Sequence, residues 1–68
     1  MSSFSQYELW VPQGDHWHMI ASFRDFDIAY AVARKRNARV RLVQVTYDRG
    51  KPVEDQTLAD MGATREQP

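Results

Sequence analysis

Residues 39–47 have the sequence Arg-Val-Arg-Leu-Val-Gln-Val-Thr-Tyr, and this stretch decides the fold. Successive side chains of a strand point to opposite faces, so Val40 and Leu42 share one face. The apolar residues of the other face are Val43, Val45 and Tyr47. A strand that is apolar on both faces is typical of the interior of a sheet. We therefore predict a central strand here.

The residues before this strand, 24–38, predict an amphipathic helix. Asp25 is placed to cap its N-terminus, and the cations near residue 35 suit its C-terminus. The apolar arc contains Phe26, Ile28, Ala29, Tyr30, Val32 and Ala33. Ala29 and Ala33 lie in the middle of this arc, and their small size lets a helix approach a sheet closely.

Two shorter segments at the start of the chain, residues 5–11 and 16–23, predict a β-hairpin. In both segments every second residue belongs to the same face of a strand, which is a period of two. Pro12 and Gly14 between them are typical of a turn. The residues that we assign to the helix side of these strands are Leu9, Val11, Met19, Ala21 and Phe23.

After the central strand, a turn at residues 48–50 leads to a fourth segment at 51–58. Pro52, Glu54 and Asp55 there favour an edge strand, because proline cannot donate to a ladder and charge discourages further pairing. We expect one ββαββ domain over residues 1–58 and a flexible tail over 59–68. The strand directions predict an α+β two-layer sandwich, with one helix on an antiparallel sheet of order 2-1-3-4.

A single helix covers only one face of such a sheet, and the second face is unusually apolar. We expect it to carry Glu8, Trp10, His16, His18, Ile20, Arg41, Val43, Val45 and Tyr47. Its apolar members, Trp10, Ile20, Val43, Val45 and Tyr47, are the predicted interface. Large exposed apolar patches usually mark interaction sites, so we expect a homodimer or a small protein partner. The alternative is a bulge that shifts the alternation, in which case these residues pack at the rim of the sheet.

Composition excludes several classes of protein. The chain has 68 residues, no cysteine, eight aromatic residues and a formal net charge of zero. One small globular domain without disulfides or thiolate zinc sites follows. No stretch has the roughly 20 apolar residues of a membrane span, and the first residues lack the pattern of a secretory signal. We expect a cytoplasmic protein with no membrane contact.

One basic cluster suggests a second hypothesis. The five cations of residues 34–41 are Arg34, Lys35, Arg36, Arg39 and Arg41. With Trp10 and Tyr47 they could bind a single-stranded nucleic acid through phosphate contacts and base stacking. We favour the alternative that they are solvated or paired with acids, because a pI near 6.7 is far from that of typical nucleic-acid-binding domains.

Metal binding and catalysis find little support in the sequence. His16 and His18 would share one face of a strand, and Glu8 could complete a set of three ligands for zinc or iron. This spacing arises easily by chance, so we expect no metal and no cofactor. Seven serine and threonine hydroxyls lie outside any nucleophile motif, and the three glycines are isolated. We therefore do not expect an enzyme.

The two hairpin segments Tyr-Glu-Leu-Trp-Val at 7–11 and His-Trp-His-Met-Ile-Ala-Ser-Phe at 16–23 precede an alanine-rich helix with an aspartate cap. The strand Val-Arg-Leu-Val-Gln-Val follows at 40–45. Over residues 5–47 this pattern resembles small, uncharacterised bacterial ββαβ proteins. The resemblance implies the fold and a bacterial cytoplasmic origin, and it supplies no activity or functional residue.

Overall fold

Four strands and one helix follow each other along the chain in the order ββαββ, as predicted. The computed structural model describes residues 3–36 and 38–62. The elements are β1 (Ser3–Gln13), β2 (His16–Phe23), α1 (Phe26–Lys35), β3 (Val40–Asp48) and β4 (Lys51–Met61). β4 includes the first residues of the expected tail, and residues 63–68 of that tail lie outside the described residues.

The strands form one sheet of order β2-β1-β3-β4, and every neighbouring pair is antiparallel. β3 lies between β1 and β4, which confirms its prediction as a central strand. With α1 packed on one side, the molecule is an α+β two-layer sandwich. β2 and β4 form the two edges.

α1 is shorter than the predicted 24–38 and starts at its predicted cap. The Asp25 carboxylate accepts a hydrogen bond of 2.8 Å from the backbone N–H of Asp27, and Arg36 leaves the helix with extended backbone angles. Ten residues make a helix about 15 Å long, whereas an eleven-residue strand extends about 36 Å. The helix therefore covers only part of the length of the sheet.

The core lies under this short helix. Ala29 and Ala33 are its buried residues, which confirms the alanine stripe as the contact with the sheet. The buried cluster consists of Leu9, Ala29, Ala33, Val40 and Leu42. The buried cluster is small, because two of its five side chains are single methyl groups, and six half-buried apolar residues pack against it.

A β-bulge in the β1–β2 pair changes the predicted faces of β2. Leu9 pairs with Ala21 and Trp10 pairs with Met19, so Ile20 is an extra residue. One extra residue reverses the alternation for the part of the strand that precedes it. Met19 therefore lies on the side of Trp10, and our assignment of Met19 to the helix side is wrong.

The same bulge turns the histidines away from their predicted position. His18 pairs with Val11 and His16 pairs with Gln13, and Val11 packs against the core under the helix. The expectation that both imidazoles share a face with Glu8 is wrong for this reason. A bulge therefore shifts the alternation of β2, whereas the faces of β1 and β3 follow the predicted alternation.

Candidate functional site: the sheet face without a helix

The side of the sheet opposite α1 carries a groove across all four strands. We call it the helix-free face and define it by Phe4, Gln6, Glu8, Trp10, Trp17, Met19, Arg41, Val43, Val45, Tyr47, Asp55, Thr57 and Asp60. Pairing of Glu8 with Val43 and of Trp10 with Arg41 places the β1 and β3 members side by side. The groove has a volume of about 260 Å³. Trp10, Trp17, Val43 and Val45 form its apolar part.

Glu8 is buried at the centre of this face, with 4% of its surface exposed. Its carboxylate accepts hydrogen bonds from Trp10 Nε1 at 3.0 Å, Tyr47 Oη at 2.8 Å and Gln6 Nε2 at 3.4 Å. The bond to Glu8, together with burial, raises the pKa of the Tyr47 hydroxyl above its usual value. A buried carboxylate needs such donors to offset its lost hydration, and here it fixes two aromatic side chains.

Asp60 holds two arginines at one end of the groove. Arg39 donates to both carboxylate oxygens at 3.2 Å, and Arg41 donates to Oδ2 from Nε at 3.3 Å and from its terminal nitrogen at 3.2 Å. The hydrogen bond from Arg39, aided by Arg41, lowers the pKa of Asp60. Both guanidinium groups also stack on Trp17, with distances to the ring centroid of 3.9 Å for Arg41 and 5.1 Å for Arg39.

The basic cluster is therefore divided between two sides of the molecule. Arg39 and Arg41 meet Asp60 near the sheet aromatics, whereas Arg34, Lys35 and Arg36 belong to the helix layer or its end. The Arg34 guanidinium lies 5.7 Å from the centroid of the Tyr30 ring. The structure does not gather these five cations around Trp10 and Tyr47.

The five predicted interface residues differ in exposure. Ile20 is 40% exposed, Val45 is 6% exposed, and Trp10, Val43 and Tyr47 are half-buried. Val45 thus forms the floor of the groove, although it lies on the face opposite α1. The surface available for contact comes from the half-buried residues and from neighbouring residues that were not predicted to lie on this face.

Three such neighbours extend the face beyond the prediction. Met19 is 42% exposed and Phe4 is 37% exposed, and Trp17 lines the groove. Phe4 stacks on Tyr47 with a distance of 5.3 Å between ring centroids. Phe4 has the same parity as Trp10, so it could have been assigned if the strand had been extended to Ser3. Trp17 and Met19 depend on the bulge, which has no signal in the sequence.

The weak metal candidates are not brought together. His16 Nδ1 lies 3.2 Å from Asp15 Oδ1 at the turn, and Glu8 is occupied by its three donors. Across residues 3–36 and 38–62, no group of three histidine, cysteine or acidic residues could hold a metal ion.

The chain matches no known family model, and no curated protein or solved structure is similar to it at a significant level. The resemblance to bacterial ββαβ proteins therefore rests on the sequence pattern alone. The helix in the described part of the chain, α1, is neither long nor apolar enough to cross a bilayer.

Proposed function

We propose that this protein is a non-enzymatic interaction module that forms a homodimer through its helix-free face. The observation that carries the proposal is that Glu8 and Arg41, two of the charged groups lining the groove, already have partners within the chain. Glu8 already has three donors and Arg41 already has Asp60. Covering this face would leave these two groups satisfied, whereas Asp55 and Thr57 on β4 would have to stay hydrated at the rim or find partners across the contact. The main gain would be burial of Trp10, Trp17 and Val43.

Two properties of the whole chain favour a second copy as the occupant. A domain of this size buries a small core, and oligomerisation is a common way to compensate. The formal net charge is zero, so two copies approach each other without net repulsion. Closed two-fold dimers are also the commonest oligomers.

The single-strand alternative has weaker support. It requires Arg39 and Arg41 to contact phosphates, and both are held by Asp60. It remains testable, because loss of the negative charge in Asp60→Asn would then strengthen salt-sensitive binding to a single-stranded oligonucleotide. Equal and negligible binding by wild type and variant at low salt would remove this alternative.

The test of the dimer uses two adjacent residues of β4. Thr57 lines the groove, and Gln56 pairs with Gln44 toward the opposite side of the sheet. Both are exposed, so lysine at either position leaves the monomer fold intact. Sedimentation equilibrium at micromolar concentration should show self-association that Thr57→Lys weakens and the control Gln56→Lys retains. A monomeric wild type, or equal association in both variants, would contradict the proposal.

A further inference from the structure

The two edges of the sheet are protected very differently against pairing with another strand. Natural sheets discourage edge pairing with charged residues, proline and bulges. β4 has all three: its charged residues and proline are Lys51, Pro52, Glu54, Asp55 and Asp60, and its ladder with β3 is irregular at two positions. β2 shares one of these features, the bulge at Ile20, but it has no lysine, arginine, aspartate, glutamate or proline from His16 to Phe23.

The charges that flank β2 are opposite in sign at its two ends. Asp15 precedes the strand and Arg24 follows it. The Asp15 side chain is fully exposed, and the Arg24 guanidinium lies 4.5 Å from the centroid of the Phe4 ring. An antiparallel pair of two β2 strands brings each end of one copy to the opposite end of the other. Asp15 of each copy then meets Arg24 of the other copy.

We propose that β2 pairs antiparallel with β2 of a second copy, in the register that sets Asp15 opposite Arg24. The same register sets Trp17 opposite Ser22 and His18 opposite Ala21. The two chains then form one continuous eight-stranded sheet with both helices on the same side. This contact uses different atoms from the helix-free face, namely the outward backbone groups of β2.

The bulge at Ile20 supports this register independently of charge. In a regular strand, residues 17 and 22 would point to opposite faces and could not be opposite each other in a two-fold pair. The extra residue reverses the alternation between them. Trp17 lines the groove, and Ser22 pairs with Glu8 of the same face. His18 and Ala21 pair with Val11 and Leu9 of the helix side, so both pairs match in face.

The edge contact and the face contact are compatible. The helix-free faces of an edge-paired dimer lie side by side on one surface, and stacking two such surfaces gives a tetramer with three perpendicular two-fold axes. Wild type should therefore approach four times 7.9 kDa at high concentration. Each contact alone gives a dimer, which lets the two be separated by variants.

The edge is tested in the Thr57→Lys background, which removes the face contact. We expect a dimer there that Asp15→Arg weakens at least about tenfold, because two exposed ion pairs are replaced by repulsion. Arg24→Asp should act alike, and combining the two reversals should restore the dimer. Glu54→Lys reverses a charge on the opposite edge and is the matched control. Hydrogen exchange should show β2 amides gaining protection as the concentration rises.

The outcomes separate the two contacts. A Thr57→Lys variant that is monomeric at high micromolar concentration, with unprotected β2 amides, would overturn the edge contact and leave the face contact standing. A dimer that ignores both charge reversals and leaves the β2 amides unprotected would also overturn it. The face contact fails if Thr57→Lys associates as wild type does, whatever the edge variants show.

Discussion

The carboxylate of Glu8 fixes two aromatic side chains on the helix-free face. It accepts the indole N–H of Trp10 from its own strand and the hydroxyl of Tyr47 from β3. A carboxylate is acceptor-only, so both of its oxygens suit these donors. The sequence predicted Glu8, Trp10 and Tyr47 on one face from strand parity alone. It could not predict their hydrogen bonds, which depend on side-chain rotamers across two strands.

Glu8→Gln should destabilise the protein by roughly 1–3 kcal/mol, because the amide nitrogen would face a donor and leave a buried polar group unsatisfied. Glu8 is 4% exposed, so water cannot easily replace the lost acceptor. Urea denaturation measures the change in free energy of unfolding. Glu54→Gln on the exposed part of β4 is the control. Equal stability of the two variants would show that the carboxylate is not needed to hold Trp10 and Tyr47.

The Asp60 ion pairs predict a pH dependence. Arg39 and Arg41 lower the folded pKa of Asp60 below the ordinary aspartate value of 3.8, so its contribution to stability is present above about pH 4. It is lost as the pH falls below that value through the folded pKa, where Asp60 becomes protonated. At pH 7 the free energy of unfolding of the wild type should exceed that of Asp60→Asn by up to about 1 kcal/mol. The difference is small because these ion pairs are partly exposed. Thermal unfolding should show the difference shrinking below pH 4, and a constant difference down to pH 3 would contradict this.

The helix is held on the sheet by Ala29 and Ala33, and its length of ten residues limits what it can cover. The sequence predicted its cap and its alanine stripe correctly because both follow from local chemistry. It overestimated the length, because the cations at 34–36 suit a helix end without marking where the end occurs. The sequence did not determine whether β2 has a bulge, because the position of an extra residue depends on the pairing of β2 with β1 rather than on Ile20 itself.

Ala29→Leu should disturb the packing of α1 on the sheet and lower the free energy of unfolding. Ala29 is 0% exposed, and added methylene groups in a packed core cost about 1–3 kcal/mol. Ala31 belongs to the same helix and is exposed, so Ala31→Leu is the matched control and should leave the free energy of unfolding almost unchanged. Urea titrations of both variants measure the difference. The alanine contact would be refuted if the two substitutions had the same effect.

The end of β4 passes close to the segment that precedes β3. Gly62 has φ +72, and a Cβ there would lie 2.5 Å from the carbonyl oxygen of Ala38. Gly62→Ala therefore adds a backbone clash to the strain of a left-handed conformation, and we expect a loss of about 2–3 kcal/mol. Gly50 has φ +82 with nothing within 4 Å, so Gly50→Ala should cost only about 1 kcal/mol. Equal losses in thermal unfolding would argue against the close approach.

The whole molecule is an elongated sheet, with extents of 47 × 26 × 18 Å, under a short helix. This shape leaves one sheet face and the β2 edge without a neighbour in the described chain, where five buried side chains form the core cluster and six half-buried apolar residues pack against it. Such a protein has more to gain from association than a larger domain with a closed core. The two proposed contacts use these two surfaces, and β4 retains the charge and proline that keep the other edge free.

Association of this kind makes the unfolding temperature depend on protein concentration, because dissociation accompanies unfolding. For a dimer of this chain, a hundredfold increase in concentration raises the free energy of coupled dissociation and unfolding by about 2.7 kcal/mol. Divided by the unfolding entropy of two chains of 68 residues, this raises Tm by about 9 °C. Scanning calorimetry from low to high micromolar concentration measures the shift. Combining Thr57→Lys with Asp15→Arg should abolish most of it, whereas Gln56→Lys combined with Glu54→Lys should retain it. A wild type whose Tm is independent of concentration would unfold as a monomer, and both contacts would then be excluded.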